Sequence, residues 1–301
     1  MKYYLGIDVG GSNTRVAKVD ENGVIVEVVK RAIDGMSGRD NVLPQIFDLI
    51  REITDYQGVA GIGAGVPGPV ETVEGVMTMS TNLEGFKGFP LKATFEKEFG
   101  IPTFVDNDAN VAGLAEALLG AGKGKSVIYY TTISTGIGGA MIVNGRVMSG
   151  SMGWAGEIGN IIVDRTRPNR GLGLNSGAME AEAGGRALTI RAKEIFGADK
   201  INHAGDFFDL ARAGNPTAVE MLETITEDWA IGFSAICHIV NPAALVVGGG
   251  LLKSGDVWYD KFVTKLYERI HKGMHDMVVV KAELEEPGLV GAAMLPVSFG
   301  I

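Results

Sequence analysis

Two carboxylates and two amides lie within five residues of this chain, at positions 106–110 (DNDAN). They fall between a predicted short strand (103–105) and a predicted helix (109–119), where α/β folds place their ligands. One Asp here would be explained as a helix cap, but four polar groups exceed what a cap needs. We therefore predict a hydroxyl-binding site. Asp108 would take the proton of a substrate hydroxyl as its oxygen attacks phosphorus, and Asn107 would hold a neighbouring hydroxyl.

Three glycine-rich stretches each follow a β-rich run: residues 8–15 (DVGGSNTR), 134–139 (STGIGG) and 248–250 (GGG). Glycine lets the backbone approach a ligand and turn its N–H groups outward, where they bind phosphate. Together the stretches indicate a nucleotide held by two halves of the protein. Asp8 beside the first loop is a natural ligand for Mg²⁺ or for its bound water. The third stretch is the least specific, because close helix–strand packing would also explain it.

Two further glutamates are candidate ligands of hydroxyl groups. Glu157 lies in residues 156–160 (GEIGN), between small and apolar segments. A carboxylate in such surroundings needs partners, and sugar hydroxyls would serve. Glu180 is a weaker case, because Glu182 is close by on the same predicted helix and a surface position is almost equally compatible with the pattern.

Hydrophobic periodicity supplies the elements that position these residues. The predicted strands are 3–8, 15–19, 24–29, 59–66, 103–105, 127–133, 138–143, 146–148, 243–247 and 277–282. The predicted helices are 42–53, 109–119, 177–196, 216–240 and 257–271, with a loop and helix from 288. Both halves begin with a strand, a glycine turn and a second strand. No linker is rich in Pro, Ser or charge, so the halves are expected to meet in a tight hinge.

Composition limits the classes of function. The 301 residues are 46% hydrophobic and 21% charged, which suits a large core and two domains. A net charge of −9 argues against a nucleic acid or an anionic membrane as partner. The single Cys237 excludes an internal disulfide and a multi-cysteine zinc site. No apolar span reaches the roughly 20 residues of a membrane helix, and no signal region is present, so we expect a cytoplasmic protein.

These motifs, in this order, resemble those of the ROK family of sugar kinases and sugar-responsive repressors, within the group of actin and hexokinase ATPases. The resemblance rests on residues 6–14 (GIDVGGSNT), 65–69 (GVPGP), 81–83 (TNL), 106–110, 132–139, 156–159 and 248–250. It implies an α/β, two-domain actin-like ATPase (ribonuclease-H-like) fold with a ligand cleft between the domains. The N-terminal domain would span 1–120, with the helix of 288–301 packing back on it, and a larger domain would span 121–287.

The resemblance also implies an activity: an ATP- and Mg²⁺-dependent kinase for the primary hydroxyl of glucose or a glucose-like hexose, with Asp108 as general base. A homodimer is the family expectation. The implied sugar contacts are Gly68, Asn82, Asn107, Asp108, Glu157, Asn160 and Glu180. The implied nucleotide contacts are Asp8 (also the Mg²⁺ ligand), Gly10, Gly11, Ser12, Asn13, Thr14, Thr135, Gly136, Gly248, Gly249 and Gly250.

The chain departs from the family pattern at its metal motif. Many members carry a C-x-C-G-x-x-G-C zinc motif, whereas the corresponding residues 171–178 (GLGLNSGA) contain no cysteine. Asn160 stands where many members have a histidine, and Ser134 where glycine is usual. We therefore expect no structural zinc. The sugar stays open between glucose, a β-glucoside and an N-acetylhexosamine (N-acetylmannosamine or N-acetylglucosamine), and the donor between ATP and polyphosphate.

Two alternatives belong to other classes. The first is a sugar-sensing transcriptional regulator lacking its DNA-binding domain. Family repressors carry a helix-turn-helix before this domain, whereas this chain begins at its first strand and is acidic, and both features count against DNA binding. The second is a sugar-binding protein without turnover, which the presence of Asp8 and Asp108 disfavours.

Overall fold

The computed structural model describes residues 1–301. The strands are β1 (Tyr3–Val9), β2 (Asn13–Asp20), β3 (Ile25–Ala32), β4 (Gly61–Val66), β5 (Val70–Glu71), β6 (Val76–Met77), β7 (Thr103–Asn107), β8 (Val127–Ile133), β9 (Ile137–Val143), β10 (Arg146–Val147), β11 (Ala244–Gly248) and β12 (Val278–Lys281). The helices are α1 (Arg39–Glu52), α2 (Leu91–Phe99), α3 (Asp108–Leu118), α4 (Met179–Ala183), α5 (Gly185–Phe196), α6 (Ala204–Arg212), α7 (Pro216–Val240), α8 (Gly255–Arg269) and α9 (Pro287–Ser298).

The chain divides into two compact units. The first comprises Met1–Ile128, Ala140–Gly156 and Ala282–Ile301, and the second comprises Tyr129–Gly139 and Glu157–Lys281. One five-stranded sheet has the order β3-β2-β1-β4-β7, with β1–β3 antiparallel and β1, β4 and β7 parallel. A second five-stranded sheet has the order β10-β9-β8-β11-β12. In the first sheet the polar residues of interest lie at the carboxyl ends of β1 and β7.

The first unit depends on glycines inside its central strands. A Cβ on Gly6 in β1 would lie 2.1 Å from the carbonyl oxygen of Leu289, and one on Gly63 in β4 would lie 1.8 Å from that of Ala292. Helix α9 therefore packs with its backbone directly on the sheet. It is apolar on all sides, and residues 289–296 are buried, as expected for a helix enclosed by other elements.

The second unit has an aromatic core between α7 and α8. The ring centroids of Trp229 and Trp258 lie 4.8 Å apart, and Phe262 meets Phe233 edge-on at 5.5 Å. All four side chains are fully buried. Such rings supply much of the buried apolar area of a domain, so they hold α7 and α8 together.

The helix predicted over 177–196 is wrong as a single element. It is broken at Gly184, whose backbone is extended (φ −73°, ψ 155°), so that α4 and α5 are separate helices. Glycine is a poor helix former, and the N–H groups of Gly185 and Arg186 donate to the carbonyl oxygens of Ser134 and Thr135 at 2.8 and 2.9 Å. The first turn of α5 is thus docked on the second glycine loop, which decides where α5 begins.

Periodicity also missed α2 and α6. Helix α2 follows Pro90 and has no side-chain cap. It buries only Leu91 and Phe95, so its hydrophobic repeat is too short to identify a helix from the sequence. Helix α6 is capped by His203, which accepts from the N–H of Asp206 in a capping box that does not use the usual Ser or Thr. No helix of the structure combines the length and the apolar character needed to cross a membrane.

Candidate functional site

The carboxyl ends of β1, β4 and β7 place the first set of predicted residues along one edge of the sheet. Asp8 in β1 is in register with Gly65 in β4, and Gly65 is in register with Asp106 in β7. A Cβ on Gly65 would lie 2.8 Å from the side chain of Val111 and 3.8 Å from the Cα of Asp108. Gly65 therefore lets α3 begin directly above β4. As a result, Asp8 and the acidic residues of 106–108 lie in the same unit, at the same edge of the sheet.

Asp108 is the first residue of α3, and its carboxylate accepts from the backbone N–H of Ala109 at 2.8 Å. The side chain is open to solvent on one side, while protein crowds it on the others. Desolvation, the larger effect, and the negative charge of Asp8 together raise the pKa of Asp108 to about 6, against the lowering effect of hydrogen bonds from Ala109 and Asn107. A carboxylate with a pKa near 6 is ionised at neutral pH and more basic than an ordinary Asp, which suits a general base.

Asn107, rather than either neighbouring aspartate, is the N-cap of α3. Its Oδ1 accepts from the N–H groups of Ala109 and Asn110 at 2.9 and 3.4 Å. Its Nδ2 donates to the carbonyl oxygen of Gly68 at 3.1 Å, and Gly68 has φ of +97°. The structure thus joins two predicted sugar contacts, Asn107 and Gly68. The side chain of Asn107 is also a hydrogen-bond partner of Asp108, which lowers the pKa of that carboxylate.

Asp106 lies beneath this pair and is 4% exposed. Its Oδ1 accepts from the backbone N–H of Asn107 at 2.7 Å and from Nδ2 of Asn110 at 2.6 Å, and the Ser149 hydroxyl lies 3.3 Å from its Oδ2. Burial raises the pKa of Asp106 to about 6, although these hydrogen bonds lower it. Ser149 connects the segment after β10 to the base of the site, a contact that no local sequence pattern predicts.

Asp8 is held by an arginine that sequence reasoning did not single out. Arg15 donates through Nη2 and Nε to Oδ2 of Asp8 at 2.6 and 3.2 Å, and through Nη1 to Glu286 at 2.5 Å. Asp8 and Arg15 are paired across the β1–β2 hairpin, so their side chains share one face. The signal in the sequence was an acidic and a basic residue, Asp8 and Arg15, at equal distances from the turn between β1 and β2. Oδ1 of Asp8 has no hydrogen-bond partner within the protein.

The first glycine loop is a tight turn in which Gly10 donates its N–H to the carbonyl oxygen of Asn13 at 2.9 Å. Ser12 and Asn13 are exposed, as a ligand-binding loop requires. Thr14, by contrast, is fully buried, and its hydroxyl has no partner within the protein. Asn82 does lie beside the loop, because a Cβ on Gly11 would be 3.0 Å from the Cβ of Asn82.

In the second unit, Glu180 joins two of the predicted segments. Its Oε2 accepts from the N–H of Ile137 at 2.7 Å. A Cβ on Gly136 would lie 2.6 Å from that oxygen, and one on Gly159 would lie 2.8 Å from it. Asn160 follows, and its Oδ1 accepts from the N–H of Asn175 at 2.9 Å. Glu180, the weaker candidate from sequence, is therefore a structural centre of this region.

Glu157 differs from the sequence interpretation. The structure places it at the surface, together with Trp154, rather than in apolar surroundings. Its charge nevertheless contributes to the raised pKa of the buried Tyr129, after the larger effect of burial. The surroundings of Glu157 do not by themselves demand a ligand, so its predicted role rests on the motif alone.

A cavity of about 670 Å³ brings the second and third glycine stretches together. Ser134, Thr135 and Gly250 line it. Four basic side chains that sequence reasoning missed also line it, and no carboxylate does: Arg186, Lys193, His203 and Lys253. The volume is typical of small-molecule sites, and the basic lining suits an anionic ligand.

Gly248 and Gly249 are also required for close packing against β8. A Cβ on Gly248 would lie 2.6 Å from the hydroxyl oxygen of Tyr130. Gly249 has φ of +94°, and a Cβ there would lie 2.4 Å from the backbone of Ile133. Of the three glycines, Gly250 is the one that reaches the cavity.

Comparison with known proteins agrees with this geometry. A sequence profile of the ROK family matches residues 4–298. The chain is 28% identical to a glucokinase of Thermotoga maritima, over 97% of this chain and 96% of the relative. It is 27% identical to the xylose repressor of Bacillus subtilis, over 89% of this chain and 70% of the relative.

Solved structures match over nearly the whole chain. A ROK hexokinase from Thermus thermophilus superposes with a TM-score of 0.87 at 31% identity, covering 99% of this chain and 100% of the other. A ROK family glucokinase from Streptomyces griseus, in complex with glucose and AMPPNP, gives 0.77 at 28% identity and covers 97% and 98%. The mixed α/β fold is therefore that of the ROK sugar kinases, the actin-like ATPase fold.

Proposed function

The chain belongs to the ROK family, and on that premise we propose that it is an ATP-dependent kinase acting on the primary hydroxyl of a hexose, glucose or a glucose-like sugar. The observation that carries the proposal is Asp108. It begins α3 at the same edge of the sheet as the Asp8 loop, and its pKa of about 6 suits proton removal at neutral pH. Capping of α3 does not explain Asp108, because Asn107 is already the N-cap of that helix.

The chemistry assigned to Asp108 is a single proton transfer. The sugar oxygen forms a bond to the γ-phosphorus, the bond from that phosphorus to the bridging oxygen of ATP breaks, and the hydroxyl proton passes to Asp108. The products are a sugar phosphate and ADP. The side-chain amide of Asn107 would donate to a sugar hydroxyl, and the hydrogen bond from Asn107 to Gly68 fixes its direction.

Asp8 fits the role of magnesium ligand. Mg²⁺ in kinases is bound through one or two carboxylates together with phosphate oxygens and water. Arg15 occupies only Oδ2 of Asp8, so Oδ1 is left for the ion or for its water. When bound with the nucleotide, the ion neutralises phosphate charge. Arg15 and Glu286 keep the carboxylate in one orientation.

The cavity of the second unit supports a nucleotide as donor. Its volume of about 670 Å³ suits a nucleoside. The basic side chains of Arg186, Lys193 and Lys253 line it, and they would attract the phosphates. Polyphosphate is an anion too, so ATP and polyphosphate are to be compared directly as donors. Asn82, Glu157, Asn160 and Glu180 would contact the sugar, with a β-glucoside or an N-acetylhexosamine as the main alternatives to glucose.

The experiment is a measurement of ADP release with MgATP across glucose, mannose, allose, N-acetylglucosamine, N-acetylmannosamine and cellobiose. One strong sugar-dependent signal identifies the acceptor, and Asp108→Asn, which keeps the side-chain shape, should abolish it while sugar binding persists. Sugar binding without ADP release from ATP, and without phosphorylation by polyphosphate, would favour the regulator or the binding protein instead. Light scattering on the same samples tests the homodimer expected from the family.

A further inference from the structure

Five charged side chains form a partly buried cluster in the second unit. Two of them are carboxylates with almost no exposure: Glu182 on α4 (0%) and Asp228 on α7 (1%). The other three are Arg167, Arg170 and Arg191, and each lies within 4 Å of Glu182. None of these residues belongs to the site described above, and the proposed reaction uses none of them.

The pairs in this cluster are close. Arg167 donates through Nη1 and Nη2 to the two carboxylate oxygens of Asp228 at 2.5 and 2.8 Å, a bidentate pair. Its Nη1 also lies 3.3 Å from Glu182. Nε of Arg170 lies 3.2 Å from both carboxylate oxygens of Glu182. Removing a partner from a buried ion pair leaves a buried charge uncompensated, so the pairs depend on one another.

Two of the arginines come from a segment with almost no regular secondary structure. Residues 163–178 contain no helix and no strand apart from an isolated bridge between Ile162 and Ala178. In this clasp loop, as we call residues 164–177, most side chains are partly or fully exposed, but the side chains of Arg167 and Arg170 are only 19% and 25% exposed. Arg165 in the same loop is exposed and forms no ion pair. Backbone hydrogen bonds from Val163 and Asp164 to Gly177 close the ends of the loop, and its two inward arginines attach it to α4 and α7.

The cluster connects this loop to the predicted sugar contacts. Asn175, near the end of the clasp loop, donates its N–H to Oδ1 of Asn160 at 2.9 Å. Glu182 lies two residues from Glu180 on α4, a helix of only five residues. Glu182 binds the arginines while Glu180 binds the N–H of Ile137. A shift of the loop or of α4 would therefore move Asn160 and Glu180 together.

We propose that Arg167 and Arg170 are positioning residues that set sugar affinity and selectivity, by clasping the loop 164–177 onto Glu182 and Asp228 so that Asn160 and Glu180 keep their places. The proposal rests on the sugar-kinase function proposed above. The arginines touch no substrate themselves, and Asp108 lies in the other unit. Loosening the clasp should therefore raise the KM for sugar much more than it lowers kcat.

The test compares Arg170→Gln with Arg165→Gln, a matched change at the exposed arginine of the same loop. Arg170→Gln should raise the sugar KM about tenfold, as expected for small displacements of binding groups. It should also lower the ratio of kcat/KM values between sugars that differ at one hydroxyl. Its kcat and its affinity for ATP should stay within about twofold of the parent protein. Arg170→Lys, which keeps the charge but has one ammonium in place of the guanidinium, should recover part of the loss.

Hydrogen exchange supplies a readout that does not depend on activity. Amides of residues 164–178 should exchange faster in Arg170→Gln than in the parent protein or in Arg165→Gln. An unchanged sugar KM in folded Arg170→Gln would overturn the proposal, and so would equal losses in kcat and kcat/KM. If the parent protein shows no sugar-dependent ADP release, the proposed function fails, while the exchange data still decide whether the arginines hold the loop.

Discussion

Replacing the buried Asp106 by Asn should stabilise the protein at neutral pH. Burial raises the pKa of Asp106 from 3.8 to about 6. One unit of pKa corresponds to about 1.4 kcal/mol, so keeping this carboxylate ionised in the folded protein costs about 3 kcal/mol relative to the unfolded chain. The amide removes that cost because it can satisfy every neighbour. Its oxygen accepts from Asn107 and Asn110, and its NH₂ donates to the hydroxyl of Ser149.

The sign of the pH dependence follows from the raised pKa. A carboxyl group with a higher pKa in the folded state is favoured there when protonated, so the parent protein loses stability as pH rises from about 4 to 6. The advantage of Asp106→Asn should therefore be complete near pH 8, at up to about 3 kcal/mol, and fall to about half of that at pH 5. Urea unfolding followed by circular dichroism at these two pH values measures both quantities.

Glu116→Gln is the matched control, because the same chemical change should act in the opposite direction. Glu116 is fully buried and accepts only from backbone N–H groups: Oε1 from Glu283 and Leu284 at 3.0 and 2.9 Å, and Oε2 from Ala121 at 2.9 Å. An amide NH₂ cannot accept, so at least one N–H would face another donor, at a cost of about 1–3 kcal/mol. If Asp106→Asn is destabilising at pH 8, or if both variants shift stability in the same direction, the donor and acceptor reasoning is refuted.

Four further outcomes are expected. Asp108→Asn should lower kcat at least about a hundredfold while sugar binding, followed by calorimetry, is retained; near-normal turnover would exclude Asp108 as the base. In the parent protein, kcat/KM for sugar should fall as pH decreases through about 6, because Asp108 must be ionised to accept a proton. Arg15→Gln should move that acidic limb up by about half a pH unit, since Asp8 then acts on Asp108 without its compensating cation; an unmoved limb would contradict this. Gly63→Ala should prevent soluble expression or lower Tm by more than about 10 °C, because its Cβ would lie 1.8 Å from the carbonyl oxygen of Ala292.

Local patterns predicted most of the elements correctly because each pattern acts over a few residues. The strand predicted over 127–133 coincides with β8, and the helix predicted over 216–240 coincides with α7, which begins at its proline. The hairpin turn predicted at Asn144-Gly145 has positive φ at both residues. The helix predicted over 177–196 was wrong because its break at Gly184 is fixed by carbonyl groups of Ser134 and Thr135, about 50 residues away.

The sequence by itself determined the chemistry available: where carboxylates follow strands, where glycines let the backbone turn, and that Asp106, Asn107 and Asp108 come together at a helix start. Tertiary structure decided what each group does. It made Asn107 the cap, buried Asp106 against Ser149, and raised the pKa of Asp108 through crowding and the charge of Asp8. It also paired the clasp-loop arginines with carboxylates on α4 and α7. Burial, pKa and ion pairing depend on distances between residues far apart in the chain, and only folding sets those distances.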